Sequence, residues 1–465
     1  MSRRVTLRIS GHHHRELRSH LFRGDGAEAV AVALCGRHSD ADHEILCVHE
    51  VHPVPEHEYT VRTSTSVTWG TDWLIPHLDE AERRNWALLK IHSHPNGLRG
   101  FSAIDDESDK RLFPSVHGWT QNVPVHASAV MLDDGHVVAR GVFDDGTFVP
   151  ISRVLVAGHA IRVLEQGPTH APLPCWSSRH AQALGSHTTA LLGRLRVGVV
   201  GCSGTGSFVI EQLARLGVGQ LVLVDPDEID EVNLNRIIWA NRADVGRAKV
   251  DVAADHIARM DLGTSVTRVH RDLAHPEVVA RLATCEVLFG CVDSHDGRRL
   301  LNRISSFYVI PYIDTGVRVD ADGSGGIDHI SGAVHYLQPG GSSLLSRGVI
   351  DNDRATAEAH RRAAPDEYES LSREGYLRGV VESRPAVVSI NGMFASMAVN
   401  EMLARLHNLR DDDQAHAEQR FVVSDPCYVC EGDGDPCPIL QRHVGRGDVR
   451  PPLDLPELSG REAPR

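Results

Sequence analysis

Residues 201–249 constrain this chain more than any other stretch. They read GCSGTGSFVIEQLARLGVGQLVLVDPDEIDEVNLNRIIWANRADVGRAK and come directly after the apolar run 195–200. The order is strand, glycine turn, helix, strand, which opens a nucleotide-binding α/β unit. Gly201, Gly204 and Gly206 permit a tight turn and close approach to a phosphate. The helix behind them aims unsatisfied N–H groups and its positive dipole end at an anion. The second strand, 221–224, ends in Asp225, placed to hydrogen-bond a ribose hydroxyl. Glycines alone would serve a nicotinamide dehydrogenase equally well.

The residues beyond the second strand separate the two readings. Asn233-Leu234-Asn235-Arg236 precedes Asp244-Val245-Gly246-Arg247-Ala248-Lys249, so two cations, Arg236 and Lys249, lie downstream of one glycine turn. A dinucleotide does not need them. A triphosphate does, if its charge is to be neutralised while an acyl group attacks the α-phosphate. Lys249 is one of only three lysines, with Lys90 and Lys110, in a chain that otherwise uses arginine. A further apolar run, 287–292, ends in Asp293, a candidate Mg2+ ligand at the edge of a phosphate site.

These motifs, in this order and with Pro385-Ala386-Val387-Val388-Ser389-Ile390-Asn391-Gly392 downstream, make residues 176–445 resemble the adenylation domain of the ubiquitin-activating (E1-like) family that includes MoeB and ThiF. The resemblance implies a Rossmann-like domain that uses ATP. It assigns the ribose to Asp225, the shaping of the site to Asp227 and Asn233, phosphates to Arg236 and Lys249, and Mg2+ to Asp293. Arg179, six residues before Gly185, resembles the arginine that such enzymes insert into a partner subunit's ATP site, which implies a homodimer. An ordinary surface arginine is the alternative.

Two departures matter. Many relatives hold a structural zinc with two CxxC pairs, the first in a Pro-Gly-x-x-Cys-x-x-Cys segment. Here Ser343 and Ser346 stand in that segment, and serine hydroxyls are poor zinc ligands. Cys427 and Cys430 supply the second pair, with Cys437 and His443 behind them, so a local zinc knuckle competes with unligated thiols. Residues 312–426 contain no cysteine, although relatives that pass a modifier to a conjugating enzyme carry a nucleophilic cysteine there. Transfer would then stop at the acyl-adenylate or use Cys427, Cys430 or Cys437.

The first 157 residues read as a separate mixed α/β domain. A helix is expected at 16–22, strands at 29–35, 45–51, 60–68, 87–92 and 126–132, and helical spacing at 70–86. The run His12-His13-His14 is expected to face solvent. Chemistry concentrates in Ile91-His92-Ser93-His94-Pro95 and Phe101-Ser102-Ala103-Ile104-Asp105. Two histidines at i and i+2 of an extended segment project from one face and can share a metal ion. Asp105 as third ligand would leave the fourth position to water, the open arrangement of hydrolytic zinc. Ser102 and Asp105 also read as a helix N-cap with an acid at N3.

Together, His-x-His-x7-Ser-x2-Asp resembles the JAMM/MPN+ (JAB) metallopeptidase motif. The resemblance implies zinc on His92, His94 and Asp105, proton transfer by Glu28 at the head of the strand closing at Gly36, and oxyanion support from Ser102. Such enzymes cleave after the C-terminal glycine of a ubiquitin-like protein.

The expected layout is a JAMM/MPN+ domain at 1–157, a Pro/Gly-rich linker at 158–175, an E1-like domain at 176–445 and a disordered tail at 446–465. A net charge of −14 argues against nucleic-acid binding. With no apolar run of membrane length, no signal peptide and nine scattered cysteines, a reduced cytoplasmic setting is expected. The expected function is bifunctional: zinc-dependent cleavage after a modifier's terminal glycine, and ATP-dependent adenylation of that carboxylate, with an E2-like enzyme as a further partner. The rivals are activation of a sulfur carrier and a non-catalytic modifier-binding module.

Overall fold

The computed structural model of the chain describes residues 4–41, 43–165, 173–322, 324–364, 368, 386–407 and 409–459. Two compact units emerge: unit 1 is Met1–Pro168 with Ser306–Val309 and Arg442–Val449, and unit 2 is Thr169–Ser305, Ile310–Gln441 and Arg450–Arg465.

Unit 1 runs β1 (Arg4–Ser10), α1 (Gly11–Leu21), β2 (Val30–Ser39), β3 (His43–Pro53), β4 (Tyr59–Arg62), β5 (Val67–Trp69), α2 (Ile75–Arg84), β6 (Ala87–Ser93), α3 (Ala103–Trp119), β7 (Val125–Met131), β8 (Val137–Phe143), β9 (Phe148–Pro150), β10 (Arg153–Ala157) and β11 (Ile161–Glu165). Nine strands form one sheet in the order β11-β10-β1-β3-β2-β6-β7-β8-β9. Side chains alternate across β6. Leu89 and Ile91 join the core that includes Leu17 and Leu21 of α1, and Leu88 joins Phe113 and Val116 of α3 on the opposite face.

Several expectations for unit 1 change. The N-terminal run, charged at Arg4 and Arg8, is a central strand paired with β10 and β3. Arg8 is fully buried there because its Nη1 donates to the Tyr308 carbonyl at 2.9 Å, a partner 300 residues away. His14 is buried rather than solvent-facing, its Nε2 2.8 Å from the Gly135 carbonyl oxygen. The expected strand at 60–68 is a hairpin of β4 and β5. The expected linker begins inside the sheet, since β11 pairs antiparallel with β10; its remaining residues 166–172 lie outside those described.

The expected tail is also corrected over residues 446–459; residues 460–465 lie outside those described. Gly36 N–H donates to the Gly445 carbonyl at 3.0 Å, Gly447 bridges Arg37, and Val444 is buried with Ile45 and Cys47. His38 Nδ1 lies 3.0 Å from Asp448 Oδ1. Beyond these, single 3-10 turns at Pro452–Asp454 and Pro456–Leu458 bury Leu453 and Leu458. The glycines read as disorder signals serve backbone contact instead: a Cβ on Gly447 would collide with the Arg37 backbone.

Unit 2 runs α4 (Ser178–Leu192), β12 (Arg196–Val200), α5 (Gly204–Arg215), β13 (Gln220–Val224), α6 (Lys249–Met260), β14 (Ser265–Val269), α7 (Pro276–Ala283), β15 (Val287–Gly290), α8 (His295–Tyr308), β16 (Tyr312–Ala321), β17 (Ile327–Leu337), α9 (Asn352–Ala363), α10 (Val388–Leu406), β18 (Glu418–Val422) and β19 (Cys427–Glu431). The sheet order is β14-β13-β12-β15-β16-β17-β18-β19. Pairing is parallel from β14 to β16 and antiparallel from β16 to β19. Strand order reverses beside β12, so the ligand crevice of this Rossmann-like sheet opens at the carboxyl ends of β12, β13 and β15. Among the described residues, no helix is long and apolar enough to cross a membrane.

Gly447→Ala should lower the stability of unit 1 by about 1–3 kcal/mol, since both its φ of +61° and the Arg37 contact exclude a Cβ. Thermal unfolding checks this; an unchanged midpoint would mean that the segment is free in solution.

Candidate functional site

In unit 2 the turn after β12 is held from two sides. Cys202 N–H donates to Asp225 Oδ2 at 2.7 Å and Asp227 N–H to Asp225 Oδ1 at 2.9 Å, so one carboxylate ties the glycine turn to the end of β13. Burial pushes the Asp225 carboxyl above its ordinary value, with Lys249 the main opposing influence. Gly201 has φ +92°, and a Cβ on Gly206 would collide with the Gly201 carbonyl oxygen. The three glycines therefore divide their work. Gly201 lines the cavity, while Gly206 and Gly204, the latter against Asn391 of α10, let α5 start close to the turn.

The cavity measures about 660 Å³ and brings together Gly201, Asp225, Asp227, Asn233, Arg236, Lys249 and Asp293. Lys249, the first residue of α6, is buried; its Nζ donates to Asp227 Oδ2 at 2.7 Å and lies 3.8 Å from Asp225 Oδ1. Asn233 Oδ1 accepts from Asp230 N–H at 3.1 Å, which folds the loop that carries Arg236. Arg236 Nη1 donates to the Val232 carbonyl at 2.7 Å. Sequence reasoning missed Asp272, Asp296 and Arg362, which also line the cavity. Arg362 of α9 is ion-paired with Asp296 and lies 3.7 Å from Asp272. No local motif marks that arginine; only the chain's return brings it there. Arg179 is exposed on α4 and donates to Gln182 at 3.2 Å; it does not line this chain's own cavity. Gly185, with φ +77°, breaks α4 between them and the body of the helix.

In unit 1, β6 and its extension present His92 and His94, and α3 presents Asp105 from its first turn. His92 Nε2 lies 2.9 Å from Asp105 Oδ1, His94 Nε2 3.4 Å from Asp105 Oδ2, and the two imidazole nitrogens are 3.1 Å apart. Among the described residues this is the one group of three or more such side chains close enough to hold a metal ion. His94 Nδ1 lies 3.0 Å from the Leu98 carbonyl oxygen, which orients the ring. The buried Nδ1 of His92 has no hydrogen-bond partner. Two imidazoles and a carboxylate on one point suit zinc. Burial acts to raise Asp105, but the hydrogen bonds from His92 and His94 hold it well below the usual carboxylate range.

Ser102 is the N-cap: its Oγ accepts from Asp105 N–H at 3.2 Å while Asp105 Oδ2 accepts from Ser102 N–H at 2.6 Å. The capping box thus also aims the Asp105 carboxylate at the histidine pair. Glu28 sits just before β2, whose Val30 pairs with His92, and Ser93 N–H donates to the Ala29 carbonyl at 3.0 Å. That register brings Glu28 beside the histidine pair. It is buried, which pushes its carboxyl up to about 7, with His94 opposing.

Among the described residues, Cys427 and Cys430 do not belong to a group of three or more side chains close enough to hold a metal ion. Cys427 and Cys430 lie three apart on β19, so their side chains leave opposite faces of the strand. At the serine segment, Ser343 and Ser346 hydrogen-bond each other reciprocally at 2.9 and 3.1 Å. Nearby Asp433 accepts from Arg347 Nη2 at 3.1 Å, Gln338 Nε2 at 2.7 Å and the Ser342 hydroxyl. His443 instead stacks on Phe307. All nine cysteines are free thiols, Cys427 exposed and Cys437 buried.

The ThiF family model matches residues 177–426. A tRNA threonylcarbamoyladenosine dehydratase of Bacillus subtilis is 43% identical over 81 residues, covering 17% of this chain and 32% of that protein. A SAMP-activating enzyme E1 of Haloferax volcanii is 36% identical over 124 residues, covering 26% of this chain and 46% of that protein. The matches thus span less than half of these relatives. A crystal structure of E. coli MccB with MccA-N7isoASN aligns with 16% identity and a TM-score of 0.46, covering 58% of this chain and 75% of that one.

Replacing Cys427 and Cys430 together by serine should change unfolding free energy by less than about 0.5 kcal/mol, the usual range for surface substitutions. Denaturant unfolding reads this; a loss of several kcal/mol would restore them as structural ligands.

Proposed function

The chain belongs to the ThiF family, and on that premise we propose that unit 2 adenylates the C-terminal carboxylate of a small glycine-ended protein, of the ubiquitin-like or sulfur-carrier class. The observation that carries this reading is the cavity that gathers Asp225, Arg236, Lys249 and Asp293 around one glycine turn. Asp225 orients the ribose of ATP, and the turn admits the phosphates. Arg236 and Lys249 neutralise the charge that builds as a carboxylate oxygen attacks the α-phosphorus. The acyl–phosphate bond forms, the bond to the β-phosphate oxygen breaks, and pyrophosphate leaves. Asp293 is the side chain to hold a Mg2+ ion, which supplies further neutralisation of the triphosphate. Arg179, exposed on its own chain, acts in the partner's site of a homodimer.

Unit 1, in this reading, is a JAMM/MPN+ peptidase that cleaves after the same terminal glycine. His92, His94 and Asp105 would hold zinc, which supplies Lewis acidity there. Glu28 takes a proton from the attacking water and returns it to the departing amine. Ser102 adds a donor toward the carbonyl oxygen. Both units then act on one chemical position of one partner. The absence of cysteine in residues 312–426 favours a sulfur carrier, whose acyl-adenylate passes directly to a sulfur donor, over transfer to an E2-like enzyme.

ATP–pyrophosphate exchange with glycine-ended proteins should occur with wild type and fall by about a hundredfold or more in Arg236→Ala. Exchange with no such protein would remove the adenylation reading. His94→Ala should abolish zinc-dependent cleavage of a glycine-linked fusion while leaving exchange intact; loss of both would show that the sites are not independent. In mixed dimers, Arg179→Ala and Lys249→Ala chains should regain exchange in the one site that is intact, and no recovery would remove the trans role of Arg179.

A further inference from the structure

Lys90, the first of the three lysines, is 3% exposed in the middle of β6. Its Nζ donates to Asp109 Oδ1 at 2.7 Å and to Ser108 Oγ at 3.2 Å, both on α3. The other Asp109 oxygen accepts from Arg140 Nη2 at 2.7 Å, and Asp109 is completely buried. Arg140 Nη1 donates to Asp106, and the guanidinium carbon lies 3.8 Å from the ring centre of Phe101 and 4.0 Å from that of Phe148. Both oxygens of Asp109 are thus paired with cations, as a buried ion pair needs, because stranding either charge is expensive; the buried Nε of Arg140 has no hydrogen-bond partner.

The placement of this cluster is what gives it meaning. Lys90 and His92 are two apart on a strand, hence on one face; Asp105 and Asp109 are four apart on a helix, hence on one face. The buried stripe of α3 continues to Phe113, which shares a core with Leu88. Helix and strand therefore meet in three successive levels: His92 with Asp105, Lys90 with Asp109, Leu88 with Phe113. The spacings match, since two strand residues advance ~6.7 Å and four helical residues ~6 Å. Sliding α3 by one turn would set Asp109 against the histidines and bring Phe113 to the Lys90 ammonium. The charged level opposes such a slide, because it would strand the Lys90 ammonium and the Asp109 carboxylate.

We infer that Lys90, Asp109 and Arg140 are positioning residues that fix the register and rotation of α3, and so hold the Asp105 carboxylate on the histidine pair. Arg140 extends the clamp to the loop before the helix through Phe101, the neighbour of the N-cap Ser102. This inference rests on the reading of His92, His94 and Asp105 as a zinc site.

The test uses the purified full chain stripped of metal. Zinc affinity is measured by competition with a chromophoric chelator, alongside the visible spectrum of the Co2+ form and thermal unfolding of the metal-free protein. Asp109→Asn and Arg140→Gln should each weaken zinc by about 10- to 100-fold, the effect typical of groups behind metal ligands, and alter the Co2+ spectrum. The double variant Lys90→Met, Asp109→Leu replaces the ion pair by apolar side chains. It should recover thermal stability without recovering affinity, because apolar packing does not specify rotation. Arg140→Gln, at the rim of the cluster, keeps the test open if the buried variants fail to fold. Recovery of affinity together with stability in the double variant, or unchanged affinity in Asp109→Asn and Arg140→Gln, would overturn the inference and leave the zinc site standing. A wild-type chain without tight zinc would overturn the zinc reading and the inference with it.

Discussion

The cavity of unit 2 depends on one close approach: the Gly201 carbonyl against the start of α5, with Asp225 bridging from the next strand. No side chain fits at Gly206, and the buried Cys202 N–H would lack a partner without Asp225, which also accepts from the Asp227 N–H. Everything that lines the cavity is placed from there. α6 begins at Lys249, whose ammonium offsets the buried carboxylate of Asp225 and pairs with Asp227. Asn391 of α10 packs on Gly204 and closes the turn from the far side. A carboxylate that burial drives toward neutrality is kept useful by a lysine that burial alone would not favour.

Unit 1 solves a related problem by other means. Two histidines on an extended strand need no tertiary help to point the same way. The third side chain of the metal-capable group, Asp105, does, because it arrives on a helix that could turn or slide. The capping box at Ser102 sets the first turn locally, and the Lys90–Asp109 pair sets the helix against the strand. Local and tertiary constraints thus converge on one carboxylate. Neither motif residues nor spacing hint at Arg140, which comes from β8 and bonds the opposite side of Asp109.

The serine segment after β17 is secured by polar contacts. Ser343 and Ser346 close a turn on each other, and Asp433, Arg347, Ser342 and Gln338 form a buried polar knot beside it. The knot joins a loop to a segment 91 residues later. Cys427 and Cys430 are left on a strand at the edge of the sheet, where alternation separates them.

Sequence alone determined what local rules can fix: the strand–turn–helix at 196–215, the acidic end of the next strand, the paired histidines, the N-cap of α3 and the Rossmann-like class of unit 2. Each comes from the backbone preferences of glycine, the period of a strand or the capping of a helix. It left the N-terminal strand unassigned and misread the start of the expected linker and the C-terminal segment. There charged residues and glycines usually signal solvent, and only a distant partner reverses the meaning. Arg8 is buried because Tyr308 offers a carbonyl, and Gly447 is ordered because Arg37 offers a backbone to pair with. Tertiary structure likewise decided that Arg362 reaches the cavity of unit 2 and that Lys90 stands behind the metal-capable triad. Such pairings cost chain entropy in proportion to no local pattern, so no window of sequence records them.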